Sequence, residues 1–206
     1  MRAALSILVC ALLAGCAGAL FKNKTAPPTI YMLSAPPRPA AADPRDAAAP
    51  KDLAVLRPRV RAGLNTDRIA ALYPDRRLDY FAQVRWSGPL DEVLQDLAVQ
   101  EIRANPALHD VGADASVFGS TCWLEIEVVD FQAEYGAPGG VPTVRVHLQA
   151  RIGNSGDRRV LARFEPDVRE AAAENRMSAI VDAFSRAADQ AFAQIAQGAA
   201  RTLAAK

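Results

Sequence analysis

The amino-acid sequence predicts an α+β domain, a two-layer sandwich in which a mainly antiparallel sheet carries two amphipathic helices on one face. Residues 122–168 alternate apolar and polar side chains with the period of two that is typical of half-buried strands, and turn residues divide them into three strands. Residues 90–102 and 176–203 instead repeat apolar residues at helical spacing. One dry sheet face and two apolar helix stripes cover each other when both helices pack on that face.

The first sixteen residues have the pattern of a bacterial lipoprotein signal peptide. Arg2 supplies a positive charge, and residues 3–13 form an apolar run shorter than the ~20 residues that a membrane-spanning helix needs. Leu13-Ala14-Gly15-Cys16 then matches the lipobox, so residues 1–15 are predicted to be removed and Cys16 to carry covalent lipid such as palmitate. The alternative is an unmodified cysteine that follows two small residues by coincidence.

The lipid determines where the protein is expected to lie. Two or three acyl chains, at about 0.8 kcal/mol per buried methylene, anchor a chain firmly, and residues 16–28 are predicted to be the lipidated tether. Ala17 stands where an aspartate commonly signals retention in the inner membrane, which favours the periplasmic face of the outer membrane. Inner-membrane anchoring is the alternative. No cofactor is expected beyond the lipid on Cys16.

The mature chain begins with extended segments. Strands are predicted at 29–33, 52–60 and 77–86, with an Ala/Pro-rich extended linker at 34–50 and a turn with a short extended piece at 63–75. Pro58 indicates an edge or a bulge near the end of the second strand.

The first helix is predicted to begin after Ser87-Gly88-Pro89, because proline suits a first helical turn and Asp91 and Glu92 complement the positive end of the helix dipole. It ends at Asn105-Pro106. The three strands that follow are predicted at 122–128, 144–152 and 159–168, with a loop at 135–142 and a turn at 154–157. The terminal helix carries an apolar stripe made of Ile180, Phe184, Ala188, Ala191, Ile195 and Ala199.

Charge and cysteine content exclude several classes of protein. The 24 basic and 23 acidic residues nearly cancel, so a nucleic-acid partner is not expected. Of the 3 cysteines, Cys122 alone lies far from the N-terminus, so no disulfide framework is expected. His109, His147 and Cys122 follow no zinc-ligand spacing, and no metal site is predicted.

A family resemblance is carried by short segments in a fixed order. They are Tyr31-Met32-Leu33 after the lipobox, Thr66-Asp67-Arg68-Ile69, Leu78-Asp79-Tyr80-Phe81, Trp86 and the helix that follows. Together they resemble the ABC-type transport auxiliary lipoproteins, the family that includes the PqiC lipoprotein, over residues 29–203. The long linker at 34–50 departs from the family pattern.

The resemblance implies a periplasmic accessory of an ABC system with an MCE-family substrate-binding protein, and such systems are thought to move lipids between membranes. The implied partners are that MCE-family protein, ABC transporter subunits and the membrane, with a homo-oligomer as a further option. The alternative function is a structural envelope lipoprotein without a transport partner. An enzyme is not expected.

Candidate catalytic residues have simpler interpretations. Glu125 and Glu127 share a strand face and could act as paired carboxylates on a glycoside, but on an open sheet a solvated pair is the commoner outcome. His147 lacks an orienting carboxylate at any predictable spacing. The glycine-rich residues 136–140 lack the lysine of a phosphate loop, and Cys122 begins a buried run as a small core residue, with a reactive thiol as the alternative.

The predicted contact surface is what remains after the helices cover the dry face, namely the wet sheet face and the loops at 63–75 and 135–142. Because arginine and aromatic side chains dominate interfaces, the candidate partner contacts are Arg68, Tyr73, Tyr135, Arg145, His147 and Arg151. The cluster of Arg68, Arg76 and Arg77 is expected to form ion pairs with Asp67, Asp75 and Asp79, and contact with lipid headgroups is the alternative.

Overall fold

The computed structural model describes residues 26–33, 52–105, 108, 111–113 and 119–205. The predicted signal peptide, Cys16, most of the tether and the linker at 34–50 lie outside these residues.

Within the described residues, ten strands form one mixed sheet and two helices pack on it. The strands are β1 (Thr29–Tyr31), β2 (Leu53–Val55), β3 (Arg59–Val60), β4 (Arg68–Leu72), β5 (Leu78–Trp86), β6 (Val111–Ala113), β7 (Cys122–Glu134), β8 (Thr143–Asn154), β9 (Val160–Phe164) and β10 (Asp167–Ala171). The helices are α1 (Leu90–Arg103), between β5 and β6, and α2 (Met177–Ala204), at the end of the chain. The predicted α+β class is confirmed.

The centre of the sheet is the long antiparallel hairpin of β7 and β8. Apolar residues from Cys122 to Val128 point inward on alternate positions as predicted, but β7 continues to Glu134, beyond the predicted end at residue 128. A β-bulge between Val128 and Asp130 shifts the register by one residue, so Phe131 becomes the next inward side chain. Without the bulge, regular alternation would point Asp130 into the core.

Shorter strands extend the sheet on both sides of this hairpin. β2, β3 and β4 pair in parallel with successive parts of β7, while β9 and β10 pair antiparallel with β8. β5 pairs antiparallel with β4 and carries β1 in parallel at one edge of the sheet. Two predicted strands are each divided at a proline, because proline has no N–H to donate: Pro58 lies between β2 and β3, and Pro166 lies between β9 and β10.

Both helices begin and end within a few residues of the predicted positions and bury their apolar stripes in the same core as the inward face of the sheet. At the centre of this core the Phe184 ring of α2 stacks on Phe131 with centroids 5.0 Å apart and meets Trp86 edge-on at 5.2 Å. The opposite face of the sheet is left for solvent or a partner. In the described part of the chain, neither helix has the length and hydrophobicity that crossing a bilayer requires.

Candidate partner-binding surface

The face of the sheet opposite the helices is a continuous array of ion pairs, which we call the charged face. It mixes arginines and carboxylates from β3, β7, β8, β9, β10 and the segments beside them, namely Arg59, Arg61, Glu125, Glu127, Asp130, Glu134, Arg145, His147, Gln149, Arg151, Arg163, Glu165, Asp167 and Arg169. Three of the predicted contact residues, Arg145, His147 and Arg151, lie here as expected. A partner that binds this face would meet a pattern of alternating charge rather than one sign of potential.

Arg145 holds three strands of the charged face together. Its Nε and Nη2 donate to the two carboxylate oxygens of Asp167 at 2.9 and 2.8 Å, and its Nη1 lies 3.1 Å from Asp130. The hydrogen bond to Asp167 raises the pKa of the Arg145 guanidinium, and the same bond lowers the pKa of the Asp167 carboxyl. Because the Arg145 side chain is only 24% exposed, its charge is mostly committed to these neighbours.

His147 lies between two carboxylates that sequence spacing did not reveal. Its Nε2 is 3.2 Å from Glu165 Oε1, and its Nδ1 is 3.5 Å from Asp130 Oδ2. Hydrogen bonds from Gln149 and then from His147 lower the pKa of the Glu165 carboxyl. An oriented imidazole is one component of a general base, but a substrate would have to reach a side chain that is only 15% exposed. The arrangement therefore favours a structural role for His147, in a network of polar contacts that joins neighbouring strands, over a role as a general base.

Glu125 and Glu127 belong to an ion-pair cluster rather than to an isolated carboxylate pair. Arg151 donates to both oxygens of Glu125 at 2.8 and 3.0 Å, and Arg59 lies 2.6 Å from the same carboxylate. The bond to Glu125 raises the pKa of Arg151. Glu127 is 3.9 Å from Arg59. Glu127 is 52% exposed, but the Glu125 side chain is only 20% exposed and is neutralised by two arginines, so the two glutamates are not the solvated pair that the sequence suggests.

The same cluster lines a shallow depression of about 350 Å³ on the charged face. Arg163 of β9 lies at its rim, directly opposite Arg151 of β8 in the antiparallel ladder. Two positive charges in directly opposite positions destabilise a sheet unless carboxylates balance them. Glu125 balances Arg151, to which it is hydrogen-bonded. Glu125, Glu127 and Glu165 also line the depression, so its lining carries both signs of charge.

Tyr73 and Tyr135 stack with ring centroids 5.3 Å apart and planes 9° from parallel. Tyr135 is only 8% exposed, its hydroxyl donates to Asn175 Oδ1 at 2.9 Å, and burial raises its pKa. Little of Tyr135 is therefore exposed to a partner, because β7 extends to Glu134 and Tyr135 follows it directly rather than lying in an open loop. Tyr73 keeps a partly exposed ring, with the Arg77 guanidinium 4.5 Å above it.

Arg68 does not form the ion pair that its sequence position suggests. Asp67 accepts two bonds from Arg85 at 2.7 and 2.8 Å, whereas Arg68 stacks 4.0 Å above the Tyr80 ring. The expected pairing of Arg77 with Asp75 and Asp79 is present, at 3.7 and 3.1 Å. Arg68 itself is exposed and remains available to a partner.

Other candidate sites have structural roles. Cys122 is buried, as expected of a small core residue. Gly139, with φ of 71°, turns the loop that joins β7 to β8, as expected of a hairpin connection. Among the described residues, no group of three or more His, Cys, Asp or Glu side chains is placed to hold a metal ion.

A model of a known protein family matches most of the sequence. Residues 31–196 match the family model described as the ABC-type transport auxiliary lipoprotein component. None of the curated proteins matches the sequence.

Three solved structures share the fold. Protein XCC0632 from Xanthomonas campestris has a TM-score of 0.71 and 21% identity, and the match covers 84% of this chain and 96% of that one. A protein described as uncharacterized has a TM-score of 0.61 at 16% identity, with 86% and 99% covered. The hypothetical protein CT253 from Chlamydia trachomatis has a TM-score of 0.54 at 8% identity, with 77% and 100% covered. At these identities the likeness shows the fold alone.

Proposed function

The chain belongs to the ABC-type transport auxiliary lipoprotein family, and on that premise we propose that it is a membrane-anchored periplasmic accessory of an ABC transport system with an MCE-family subunit. In this proposal it serves lipid transport between the membranes and is held at the outer membrane by lipid on Cys16. It acts by binding and assembly rather than by catalysis.

The observation that carries the proposal is the family match over residues 31–196, which spans nearly all of the sheet, the whole of α1 and most of α2. The charged face supports a binding role. Arg145 and Arg151 are oriented by bidentate bonds to carboxylates, so a partner would meet two side chains whose positions are already determined. The tightly paired Glu125 and the shielded His147 offer little to a substrate.

Two parts of the surface are open to a protein partner. One is the depression beside Arg163. The other, which we call the hairpin end, consists of Tyr73, Arg77, Leu78 and Val141. Leu78 and Val141 are 37% and 53% exposed, and the Arg77 guanidinium lies over the Tyr73 ring. The loops that carry these residues meet at one end of the sheet, where Tyr73 stacks on Tyr135. Aromatic and arginine side chains are the ones that dominate interfaces. Contact through the hairpin end is therefore our preferred assignment.

Co-purification from detergent-solubilised membranes, after cross-linking, tests the proposal. The wild-type protein is expected to bring down an MCE-family subunit or an ABC subunit. Val141→Asp places a charge in the proposed contact, which costs about 2 kcal/mol or more when buried without a partner, so recovery should fall more than about tenfold. Ser155→Asp adds the same charge in the exposed turn between β8 and β9 and should leave recovery unchanged.

Two results would count against the proposal. If wild-type protein co-purifies with no such subunit, and deletion leaves the permeability of the envelope to detergent unchanged, the structural lipoprotein becomes the better account. If the subunits are recovered but Val141→Asp and Ser155→Asp behave alike, the transport role stands and the hairpin end is the wrong surface.

A further inference from the structure

The edge of the sheet at β1 places apolar and cationic side chains in one row. Ile30 pairs with Arg85 in the ladder of β1 and β5, and Arg85 pairs with Arg68 in the ladder of β5 and β4. Paired residues project from the same face, and the exposed Met32 lies just beyond the end of β1. Tyr31 pairs with the buried Trp86, so this row points away from the core. We call Ile30, Met32, Arg68 and Arg85 the β1 patch.

The apolar half of the β1 patch is unusually accessible. Ile30 is 53% exposed and Met32 is 71% exposed. Among the described residues, the other large apolar side chains with exposure above a third are Leu78 and Val141 of the hairpin end. Leu78 begins β5, whereas β1 pairs with the last residues of that strand, so the two apolar surfaces lie at opposite ends of β5.

One guanidinium in the cationic half of the β1 patch, that of Arg68, has no carboxylate partner among the described residues. Asp67 neutralises Arg85 through two bonds at 2.7 and 2.8 Å. Arg68 lies over the Tyr80 ring, and in the described part of the chain no carboxylate forms an ion pair with it. Stacking on the ring keeps the arginine stem extended while its donors stay free for an anion.

A hollow of about 480 Å³ adjoins the β1 patch. Arg68 pairs with Arg85 but Ala70 pairs with Tyr80, so the intervening residues of β5 bulge away from β4. Within the bulge Gln83 has φ of 59°, a left-handed conformation that is rare for residues other than glycine. The hollow lies between this bulge and residues 26–28, and Arg68 is on its wall. Strained, recessed backbone beside a free cation is typical of a binding site.

The position of the β1 patch in the chain identifies its occupant. Ala26 lies ten positions after Cys16, and ten residue-to-residue steps span at most about 35 Å. A lipid on Cys16 therefore keeps β1 close to the bilayer. We propose that the β1 patch docks the domain on that bilayer, with Ile30 and Met32 in the interfacial region and Arg68 on the phosphate of an anionic phospholipid. The docking rests on the lipid anchor of the proposed function, but it requires no ABC partner.

The test uses the processed, lipidated protein in vesicles of phosphatidylethanolamine with or without phosphatidylglycerol, after mass spectrometry has established the lipid on Cys16. Tryptophan is introduced by Ile30→Trp, and by Val141→Trp as a matched control at a residue that is also 53% exposed. Acyl chains brominated near the glycerol should quench the added emission of the Ile30→Trp protein and leave that of the Val141→Trp protein unchanged. Trp86 and Trp123 contribute the same background to both.

Arginine substitutions test the headgroup contact. Loss of one cation near an anionic surface should lower the ratio of docked to undocked protein about fivefold. The ratio obtained from the quenching in phosphatidylglycerol vesicles should therefore be about fivefold lower for Arg68→Gln. Arg77→Gln removes an arginine that is likewise stacked on a tyrosine, but at the hairpin end, and should have no effect.

Hydrogen exchange of wild-type residues 26–33 covers the possibility that the tryptophan variants misfold. These amides should exchange more slowly in vesicles that contain phosphatidylglycerol than in vesicles without it. Equal exchange in both vesicles, or equal quenching at residues 30 and 141, would overturn the docking. Protection that depends on protein density rather than on lipid charge would also overturn it and assign the β1 patch to a second copy of the chain.

Discussion

Replacing Phe184 with alanine removes the ring at the centre of the core. Phe184 is 0% exposed and lies between Phe131 and Trp86, with centroid distances of 5.0 and 5.2 Å. Loss of a buried phenylalanine ring costs about 3–5 kcal/mol, and each aromatic pair adds about 0.5–1.5 kcal/mol to what area alone contributes. We therefore expect the free energy of unfolding to fall by about 4–5 kcal/mol, which is a large part of the ~5–15 kcal/mol that holds an ordinary domain together.

The measurement is urea denaturation of the processed protein in mild detergent, followed by far-UV circular dichroism. In thermal unfolding, a domain of this size loses about 2–4 °C of Tm per kcal/mol, so the same substitution should lower the Tm by roughly 8–20 °C. Phe184→Leu keeps most of the volume but loses both aromatic contacts, and should cost about 1–3 kcal/mol. Gln194→Ala changes an exposed residue of α2 and should cost less than ~0.5 kcal/mol. If Phe184→Ala were no more destabilising than Gln194→Ala, the placement of α2 on the sheet would be refuted.

Three further predictions concern the anchor, the packing and the ion pairs. Cys16→Ser should leave uncleaved precursor and no mature form in the outer-membrane fraction, and normal processing would disprove the lipoprotein assignment. Gly153→Ala should cost about 1–3 kcal/mol in chemical denaturation, because its methyl group would collide with the Trp123 ring. The hydrogen bond from Arg145 lowers the folded-state pKa of Asp167, so its stabilisation exists above the ordinary aspartate pKa of about 3.9 and is lost as pH falls through the folded value. The Tm of the wild-type protein should accordingly decline more steeply than that of Asp167→Asn between about pH 5 and pH 2, and parallel curves would contradict the pairing.

The helices and the central hairpin could be predicted because their signals are local. The apolar stripe of residues 176–203 repeats every three or four residues, and β8 alternates without interruption, so each element can be identified from its own residues. The end of β7 was harder to predict. Two adjacent valines, Val128 and Val129, precede Asp130 and mark the change of phase at the bulge, but a phase change is also what the end of a strand looks like.

Parallel pairing of β2, β3 and β4 with β7 could not be read from the sequence. Each of these strands is two to five residues long, and each pairs with a segment about 60 or more residues away. The alternation of apolar and polar residues indicates which face of a strand is buried, but not which strand lies beside it. The division of strands at Pro58 and Pro166 has a local cause, since neither residue can donate a backbone hydrogen bond.

The sequence predicted which face of the sheet the contact residues lie on better than it predicted how exposed they are. Arg145, His147 and Arg151 lie on the outward face because the alternation of β8 places them there. The two carboxylates beside His147, Asp130 and Glu165, are placed there by a bulge and by the pairing of neighbouring strands. The partner-contact roles of these three residues, and of Arg68, Tyr73 and Tyr135, stay predictions.

The sequence by itself determined the α+β class, the two amphipathic helices, the polar face of the central hairpin and the lipobox at Cys16, because each of these depends on residues close together in the chain. The tertiary structure alone decided that Tyr135 is buried and that Ile30 lies beside Arg68 and Arg85. It also decided that Asp67 binds Arg85, while Arg68 stacks on Tyr80 and pairs with no carboxylate of the described residues. These features depend on strand register, and register is determined by the packing of the whole sheet rather than by any short segment.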